Sequence, residues 1–150
     1  TIRRNFDFYE SRCVHESSLS PSIHSIIASR LHDTDRAYKL YLRTARLDLD
    51  DYNREVKDGL HVTSMAGTWL SIVEGFGGMR IRNDRVCFNP IIPEAWESYS
   101  FIVRFRNNPL RIVVNSKKVI VINLSLENIP ISVYSNEFLL EPGARQKIEK

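Results

Sequence analysis

The sequence has few cysteines and no long apolar run, and both absences narrow the classes of protein it can encode. Cys13 and Cys87 are its only two cysteines, and their spacing is unlike that of a metal-ligand motif. Such a pair is typical of reduced thiols in a cytoplasmic protein. No apolar stretch approaches the length of a bilayer-spanning helix. The first ten residues also lack the apolar core of a signal peptide, so we expect a cytoplasmic protein that does not enter a membrane.

Concentrated charge is absent as well. The net charge is only +3 over 150 residues, and the arginines between positions 80 and 111 fall at alternating strand positions or in turns. No basic stripe with interleaved aromatic residues is present, which argues against a nucleic-acid partner. There is no internal repeat and no low-complexity tract. With 43% apolar residues, the chain can bury the core of one domain or of two small ones.

Apolar residues at helical spacing predict three helices in the first half of the chain. Residues 1–19 lack that period and are expected to form an irregular entry segment. The first helix is predicted over residues 21–32, since Ser20 can cap it and proline favours the first helical position. Its apolar stripe consists of Ile23, Ile26, Ile27 and Leu31. A second helix is predicted over residues 33–46, antiparallel to the first because their connection is short.

After residue 78 the apolar period changes from 3.6 to 2, which predicts strands. Asn83-Asp84 is typical of a hairpin turn. Short alternating runs then follow one another to the end of the chain, as in an antiparallel sandwich. We therefore predict an α+β fold, with helices in residues 1–78 and a small antiparallel β-sandwich in residues 79–150.

The third predicted helix follows the most chemically dense stretch, which contains His61, Thr63 and Ser64. Thr63 or Ser64 is a good N-cap for this helix. A helix N-terminus attracts phosphate or carboxylate, and the two hydroxyls and the imidazole would add donors. The alternative is that the hydroxyls only cap and that His61 only packs or forms hydrogen bonds. The apolar stripe that follows consists of Met65, Trp69, Ile72, Val73 and Phe76, of which Trp69 and Phe76 are expected to be buried.

An acidic cluster precedes this stretch in the polar connection at residues 47–59. Its members are Asp48, Asp50 and Asp51, and they lack the glycine and the distal glutamate of a calcium loop. A solvated or capping role is expected for them.

Several long runs resemble glycoside hydrolase family 65, which includes the maltose, trehalose, kojibiose and nigerose phosphorylases. The runs are HVTSMAGTW followed by IVEGFGGMRI, VHESSLSPSIHSIIA, RTARLDLDDYN and FNPIIPEAW. The resemblance implies the last helices of an incomplete (α/α)6 catalytic barrel in residues 1–78 and the family's C-terminal β-sheet domain in residues 79–150. It also implies that this chain is a fragment, or the trimmed end, of a longer protein.

The chemistry implied by the resemblance is reversible phosphorolysis of an α-glucosyl disaccharide, with inorganic phosphate as co-substrate and no cofactor. Phosphate would then be bound by His61, Thr63 and Ser64. His15 and Glu16 would contact the sugar, although a capping role for the nearby serines also explains that segment. The general acid of such enzymes is a glutamate expected upstream of this chain. The remainder of the barrel is an expected partner, and a homodimer is possible.

Three alternatives to the phosphorylase are compatible with the residues. A family 65 hydrolase, similar to an acid trehalase, would place a carboxylate near the phosphate position, whereas the hydroxyl pair favours phosphate. The β domain could be a carbohydrate-binding module whose sugar platform is formed by Trp96, Tyr99 and Phe101. It could also be a structural buttress for the barrel, which is the interpretation we favour for residues 79–150 alone.

Overall fold

The computed structural model describes residues 1–51 and 54–150, which form two compact units, Thr1–Phe76 and Gly77–Lys150. The first unit is helical and the second consists of strands, so the predicted α+β class is confirmed. Residues 52 and 53 belong to the predicted polar connection and to the RTARLDLDDYN run, and they lie outside the described residues. Within the part of the chain that is described, every helix is too short or too polar to cross a membrane.

The first unit contains more helix than the sequence pattern predicts. Its helices are α1 (Ile2–Glu10), α2 (Ser20–Arg30), α3 (Thr34–Ala45), α4 (Leu47–Asp50) and α5 (Val62–Leu70), with a 3₁₀ turn at Val56–Asp58 and a π-helical continuation of α5 at Ser71–Phe76. The expectation of an irregular entry segment is wrong for α1. This helix buries a single large residue, Phe6, so it shows no apolar stripe in the sequence. Asp33 caps α3, because its carboxylate accepts a hydrogen bond from the Arg36 backbone N–H.

The buried face of α2 is made of small residues, and the predicted isoleucine stripe is wrong. Pro21, Ser22, Ser25, Ala28 and Ser29 are buried. In contrast, Ile23 is half exposed and the other members of the stripe are only partly covered. The hydroxyls of Ser22 and Ser25 donate to the backbone carbonyls of Leu19 and Ala37, at 2.9 and 2.8 Å. Small side chains let the helix backbones approach closely. The buried positions of α2 are therefore occupied by small residues and not by its larger apolar ones.

Gly67 of α5 marks the closest approach to α2. A Cβ atom placed on Gly67 would lie 2.6 Å from the Ser22 Oγ and 2.8 Å from the Ser22 Cβ. These separations are well below van der Waals contact, so any side chain at this position must push α2 and α5 apart.

We expect Gly67→Ala to destabilise the helical unit by about 1–2 kcal/mol, because an overpacking cost of about 1–3 kcal/mol exceeds the helix-propensity gain. Urea unfolding followed by circular dichroism measures the change. Gly75→Ala is the matched control, since its nearest contact would be 3.3 Å from the Ser29 Oγ. An equal loss of stability in both variants would contradict the close approach at Gly67.

The second unit is built from eight strands in two four-stranded sheets. The strands are β1 (Arg80–Arg82), β2 (Arg85–Phe88), β3 (Ser98–Phe105), β4 (Asn108–Asn115), β5 (Lys118–Asn123), β6 (Ile129–Val133), β7 (Asn136–Leu140) and β8 (Arg145–Glu149). One sheet has the order β1-β2-β6-β7 and the other has the order β3-β4-β5-β8. The predicted hairpin turn at Asn83-Asp84 is confirmed, with both residues at positive φ.

One pair of neighbouring strands departs from the antiparallel pattern. Strands β2 and β6 are parallel, with Val86 opposite Ile131 and Phe88 opposite Val133. Parallel neighbours need a long crossover, and here the chain forms β3, β4 and β5 of the other sheet between them. Each sheet buries one face, and the rings of Phe88 and Phe101 from different sheets lie 6.3 Å apart.

Candidate functional site

The N-terminus of α5 is fixed by His61, and the predicted capping by Thr63 or Ser64 is wrong. His61 is the N-cap residue, and its carbonyl accepts hydrogen bonds from the backbone N–H groups of Ser64 and Met65. The backbone N–H of His61 donates to the carboxylate of Asp48 at 3.0 Å. Asp48 therefore anchors the residue at which the helix begins, and Thr63 and Ser64 fall within the first turn.

The His61 imidazole lies between two carboxylates. Its Nδ1 is 2.5 Å from Asp48 Oδ1 and its Nε2 is 3.3 Å from Glu55 Oε2. The hydrogen bond to Asp48, reinforced by Glu55, raises the pKa of His61 above its ordinary value. The same hydrogen bond lowers the pKa of the Asp48 carboxyl. Since Asp48 binds both the ring and the backbone of His61, we infer that it sets the position and the charge of this imidazole.

Glu55 holds the imidazole less firmly than Asp48 does. Its side chain is 51% exposed, whereas that of Asp48 is 15% exposed. The pair at the Nε2 side is also longer than the pair at the Nδ1 side. The Nε2 side of the ring is therefore the side on which an incoming anion could replace a carboxylate.

Thr63 brings together the two segments that are densest in polar residues. Its hydroxyl lies 3.3 Å from the hydroxyl of Ser18, 45 positions earlier in the chain. Ser18 is part of the VHESSLS run, and Thr63 is part of the HVTSMAG run. Both hydroxyls belong to exposed or partly exposed residues, so they face a region that a ligand can reach.

Ser64 has a different environment from Thr63. The residue is only 2% exposed, and its hydroxyl donates to the backbone carbonyl of Thr44 in α3 at 2.9 Å. A serine hydroxyl has a single proton, so in this arrangement Ser64 has none left to donate to a ligand. It ties the start of α5 to α3.

The two residues expected near the sugar also differ in exposure. His15 is 8% exposed, and its ring nitrogens face the hydroxyl of Ser20 at 2.8 Å and the carboxylate of Glu10 at 3.2 Å. Glu16 is exposed. Arg43 of α3 donates to the His15 carbonyl at 2.9 Å and thereby holds this loop against α3.

The acidic cluster of the connection is used in local hydrogen bonds. Asp50 forms two bonds with Arg46, at 2.6 and 2.8 Å, and Asp51 accepts from the backbone N–H of Val56. Asp48 binds His61 as described above. The Asp51 contact, at the start of the 3₁₀ turn, is in keeping with the solvated or capping role expected for the cluster, whereas Asp48 and Asp50 form ion pairs that this expectation does not include. The sequence pattern does not connect Asp48 or Ser18 with the α5 site, because they lie 13 and 45 positions from their partners. It does not connect Glu55 either, since the contact between Glu55 and His61 depends on how the intervening turn folds.

A shallow depression of about 290 Å³ lies beside α5. Its lining consists of Thr44, Ala45, Asp48, Leu49, Leu60, Ser64, Met65 and Thr68. His61 and Thr63 do not line it, but Asp48 and Ser64 do, so it adjoins the polar site at the helix N-terminus. Its exposed leucines and methionine give it the character of a packing surface.

The charge of His61 can be measured directly. We expect its pKa in a proton NMR titration to lie above the ordinary value of 6.5, because Asp48 and Glu55 favour the imidazolium. Asp48→Asn should lower it, and His61→Gln identifies its signal among the four histidines. By linkage, the stabilisation from this pair is complete between pH 3.8 and pH 6.5, the ordinary pKa values of the two groups. It is lost as the pH rises through the folded-state pKa of His61, and also as the pH falls through the lowered folded-state pKa of Asp48. A pKa at or below 6.5 in the unmodified chain would refute the assigned ion pair.

Two models of one protein family match the chain in succession. The model described as "Glycosyl hydrolase family 65 central catalytic domain" matches residues 1–70. The model described as "Glycosyl hydrolase family 65, C-terminal domain" matches residues 79–140. The two matched ranges fall on opposite sides of the boundary between the two compact units.

Curated relatives and one solved structure resemble the chain over nearly its whole length. A maltose phosphorylase of Bacillus subtilis is 48% identical over 139 residues, or 93% of this chain. An alpha,alpha-trehalose phosphorylase of Thermoanaerobacter brockii is 44% identical over 142 residues, or 95% of this chain. The chain spans only 18% of the length of either relative. A solved structure, named provisionally as a kojibiose phosphorylase from the human microbiome, matches 99% of this chain and 22% of its own, at 40% identity and a TM-score of 0.92.

Proposed function

Because the chain belongs to glycoside hydrolase family 65, we propose that it is the C-terminal part of an inverting disaccharide phosphorylase. Its substrate would be an α-glucosyl disaccharide of the maltose type. The products would be β-glucose 1-phosphate and a free sugar. The observation that carries this proposal is the polar site at the start of α5, where His61, Thr63 and Ser18 surround a helix N-terminus.

Phosphorolysis needs a site that holds phosphate in line with the anomeric carbon. An inverting hydrolase would instead need a carboxylate that activates water. Phosphate is already an anionic nucleophile, so one such carboxylate can be dispensed with. The proton donor for the leaving sugar would come from another part of the catalytic domain. No cofactor is required by this chemistry.

We assign the phosphate site to His61, Thr63 and Ser64, with different roles. Protonated His61 would donate from Nε2 to a phosphate oxygen in place of Glu55, while Asp48 keeps the ring charged and oriented. The exposed hydroxyl of Thr63 would donate to a second oxygen. Ser64 would act by holding the first turn of α5 on α3 through the Thr44 carbonyl. The partial positive charge of the helix N-terminus supports anion binding at this place.

Glu16 is better placed than His15 to contact the sugar. Glu16 is exposed, whereas the His15 ring is buried and faces Glu10 and Ser20. We propose that Glu16 accepts hydrogen bonds from sugar hydroxyls, since a carboxylate is an acceptor that such ligands match well. His15 would support the loop that carries Glu16.

The remainder of the catalytic domain is the partner that fits the exposed apolar side chains of the first unit. The most exposed of these around α5 are Leu49, Leu60, Val62, Met65 and Trp69. Exposed apolar groups in this number are typical of an interface. The relatives are more than five times as long as the matched region, so such a partner has ample length to cover them.

For residues 79–150 we propose a structural role next to the catalytic domain. The carbohydrate-binding alternative needs an exposed aromatic platform. However, the Tyr99 hydroxyl donates to the Ile91 carbonyl at 2.8 Å, and its ring stacks on the buried ring of Phe101. Trp96 contacts Tyr99 edge to face and is itself partly covered. These rings pack on one another, which favours the buttress.

A chimera tests the proposed function. This chain would replace the matching segment of the Bacillus subtilis maltose phosphorylase, to which it is 48% identical. We expect the chimera to consume maltose only when phosphate is present and to release one glucose 1-phosphate for each maltose consumed. The isolated chain should release none, because general acid catalysis alone contributes about 10² to 10⁴ in rate.

Two outcomes would count against the proposal. Glucose release from maltose without phosphate consumption would favour the family 65 hydrolase alternative. Turnover of a disaccharide by the isolated chain would mean that the general acid lies within these 150 residues. A folded chimera without any activity would also contradict the proposal that the chain supplies the phosphate side of the site.

A further inference from the structure

A cluster of metal-ligand side chains shares no residue with the proposed phosphate site. Cys13 and His15 come from the loop after α1, and His24 comes from α2. Each of the three can offer one ligand atom, and these atoms all lie within 4.8 Å of one another. His15 is buried and the other two are partly buried, so the cluster is sheltered from solvent.

The separations fit the coordination of a small divalent ion. The Sγ of Cys13 lies 3.5 Å from Nδ1 of His15. In a tetrahedral zinc site, with Zn–S about 2.3 Å and Zn–N about 2.0–2.1 Å, neighbouring ligand atoms are about 3.5 Å apart. The thiol and the imidazole are therefore already spaced as two ligands of one ion. The three ligand types together are also the set that zinc prefers.

The carboxylate of Glu10 bonds to both imidazoles and thereby orients them. Its Oε1 lies 3.2 Å from Nε2 of His15, and its Oε2 bonds to Nδ1 of His24. A carboxylate bonded to a histidine is the usual outer partner of a metal-bound imidazole. Glu10 thus bonds to neither His15 Nδ1, which faces Cys13, nor His24 Nε2.

The hydroxyl of Ser20 lies close to both Cys13 and His15. It lies 2.8 Å from His15 Nδ1 and 3.3 Å from Cys13 Sγ. An oxygen is thus already held next to two of the three ligand residues. Either this hydroxyl or a water molecule can supply that oxygen.

We propose that Cys13, His15 and His24 bind one zinc-like divalent cation, with an oxygen ligand in the fourth position. On binding, the Cys13 thiol releases its proton to solvent and coordinates as a thiolate. The ion would join the loop after α1 to α2, so its role is to stabilise this part of the helical unit. It takes no part in the phosphorolysis proposed above, and its test is independent of that activity.

Cobalt serves as the spectroscopic probe, because Co²⁺ occupies zinc sites and its bond to a thiolate absorbs light. The whole chain, treated with a chelator and kept reduced, would be titrated with Co²⁺. We expect a cobalt–thiolate absorption that saturates at one equivalent and is abolished when Zn²⁺ displaces the cobalt. Absence of this absorption in the unmodified chain would overturn the proposal.

Single substitutions identify the cysteine that binds the metal ion and test the role of Glu10. Cys13→Ser should lose the cobalt–thiolate absorption, whereas Cys87→Ser is the matched control and should keep it. An absorption that survives in Cys13→Ser, or disappears in Cys87→Ser, would also overturn the assignment. Glu10→Gln should keep the absorption and weaken zinc binding about 10- to 100-fold, since loss of an outer partner has this effect on metal affinity. Circular dichroism confirms that each variant is folded before it is compared.

Discussion

Replacing Phe76 by alanine is expected to destabilise the helical unit by about 3–5 kcal/mol, the usual cost of removing a buried phenylalanine. Its side chain is fully buried, and its ring packs edge to face on Tyr41 with centroids 5.7 Å apart. The residue ends the π-helical continuation of α5. Deleting the ring leaves a cavity that the close-packed helices cannot fill without moving. Urea unfolding followed by the helical circular-dichroism signal measures the loss.

Trp69→Ala is the matched control for Phe76→Ala. The sequence pattern predicts that Trp69 is buried, but in the structure it is 50% exposed, so that prediction is wrong. We therefore expect Trp69→Ala to cost only about 1 kcal/mol, the typical effect of a substitution that creates no core cavity. Equal losses for the two variants would show that the Trp69 side of α5 belongs to the core as well.

His61→Ala in the chimera is expected to raise the Michaelis constant for phosphate about 10- to 100-fold, because a charge-assisted hydrogen bond contributes about 1.5–3 kcal/mol. The imidazolium held by Asp48 is the only cationic group that we assign to the phosphate site. Thr63→Ala removes a neutral donor and should have a smaller effect. Initial rates at varied phosphate and saturating maltose give the constant.

The control for this prediction is the sugar side of the reaction. In the synthetic direction, the Michaelis constant for the acceptor sugar should change little in His61→Ala. His32→Ala is a suitable matched variant, since His32 is an exposed histidine just after α2 and should leave both constants unchanged. A higher constant for the acceptor, with an unchanged constant for phosphate, would make His61 a sugar ligand.

Local signals in the sequence are sufficient for the elements whose partners are close in the chain. Asp33 caps α3 through a residue only three positions away, and Asn83-Asp84 joins adjacent strands. Alternation likewise identifies β3 and β4, which pair with each other across a short turn. In each case the interacting residues are only a few positions apart, so the sequence pattern predicts the element.

The sequence is misleading where size decides the packing. The apolar stripe of α2 suggests that its isoleucines face the core, whereas Ser22 packs at the closest approach to Gly67. Hydrophobic periodicity cannot identify such a face, because small polar residues pack there, and the hydroxyls of Ser22 and Ser25 donate to backbone carbonyls. The same limit applies to Trp69, which follows the apolar period of α5 but is half exposed.

The candidate site is predicted only in part for a related reason. His61, Thr63 and Ser64 are evident as a polar run before a helix, but their roles depend on contacts from distant segments. Asp48 binds His61 from 13 positions away, and Ser18 approaches Thr63 from 45 positions away. Only the folded chain distinguishes the exposed hydroxyl of Thr63 from the buried hydroxyl of Ser64.

The most direct test of the proposed function is a crystal structure of the chimera with bound phosphate. The predicted result is a phosphate at the first turn of α5, with oxygens about 3 Å from His61 Nε2 and from the Thr63 hydroxyl. Glu55 should then have moved away from the ring, while Asp48 remains bound to Nδ1. Phosphate bound elsewhere, with the first turn of α5 occupied by sugar or empty, would contradict the assignment of this chain to the phosphate side of the active site.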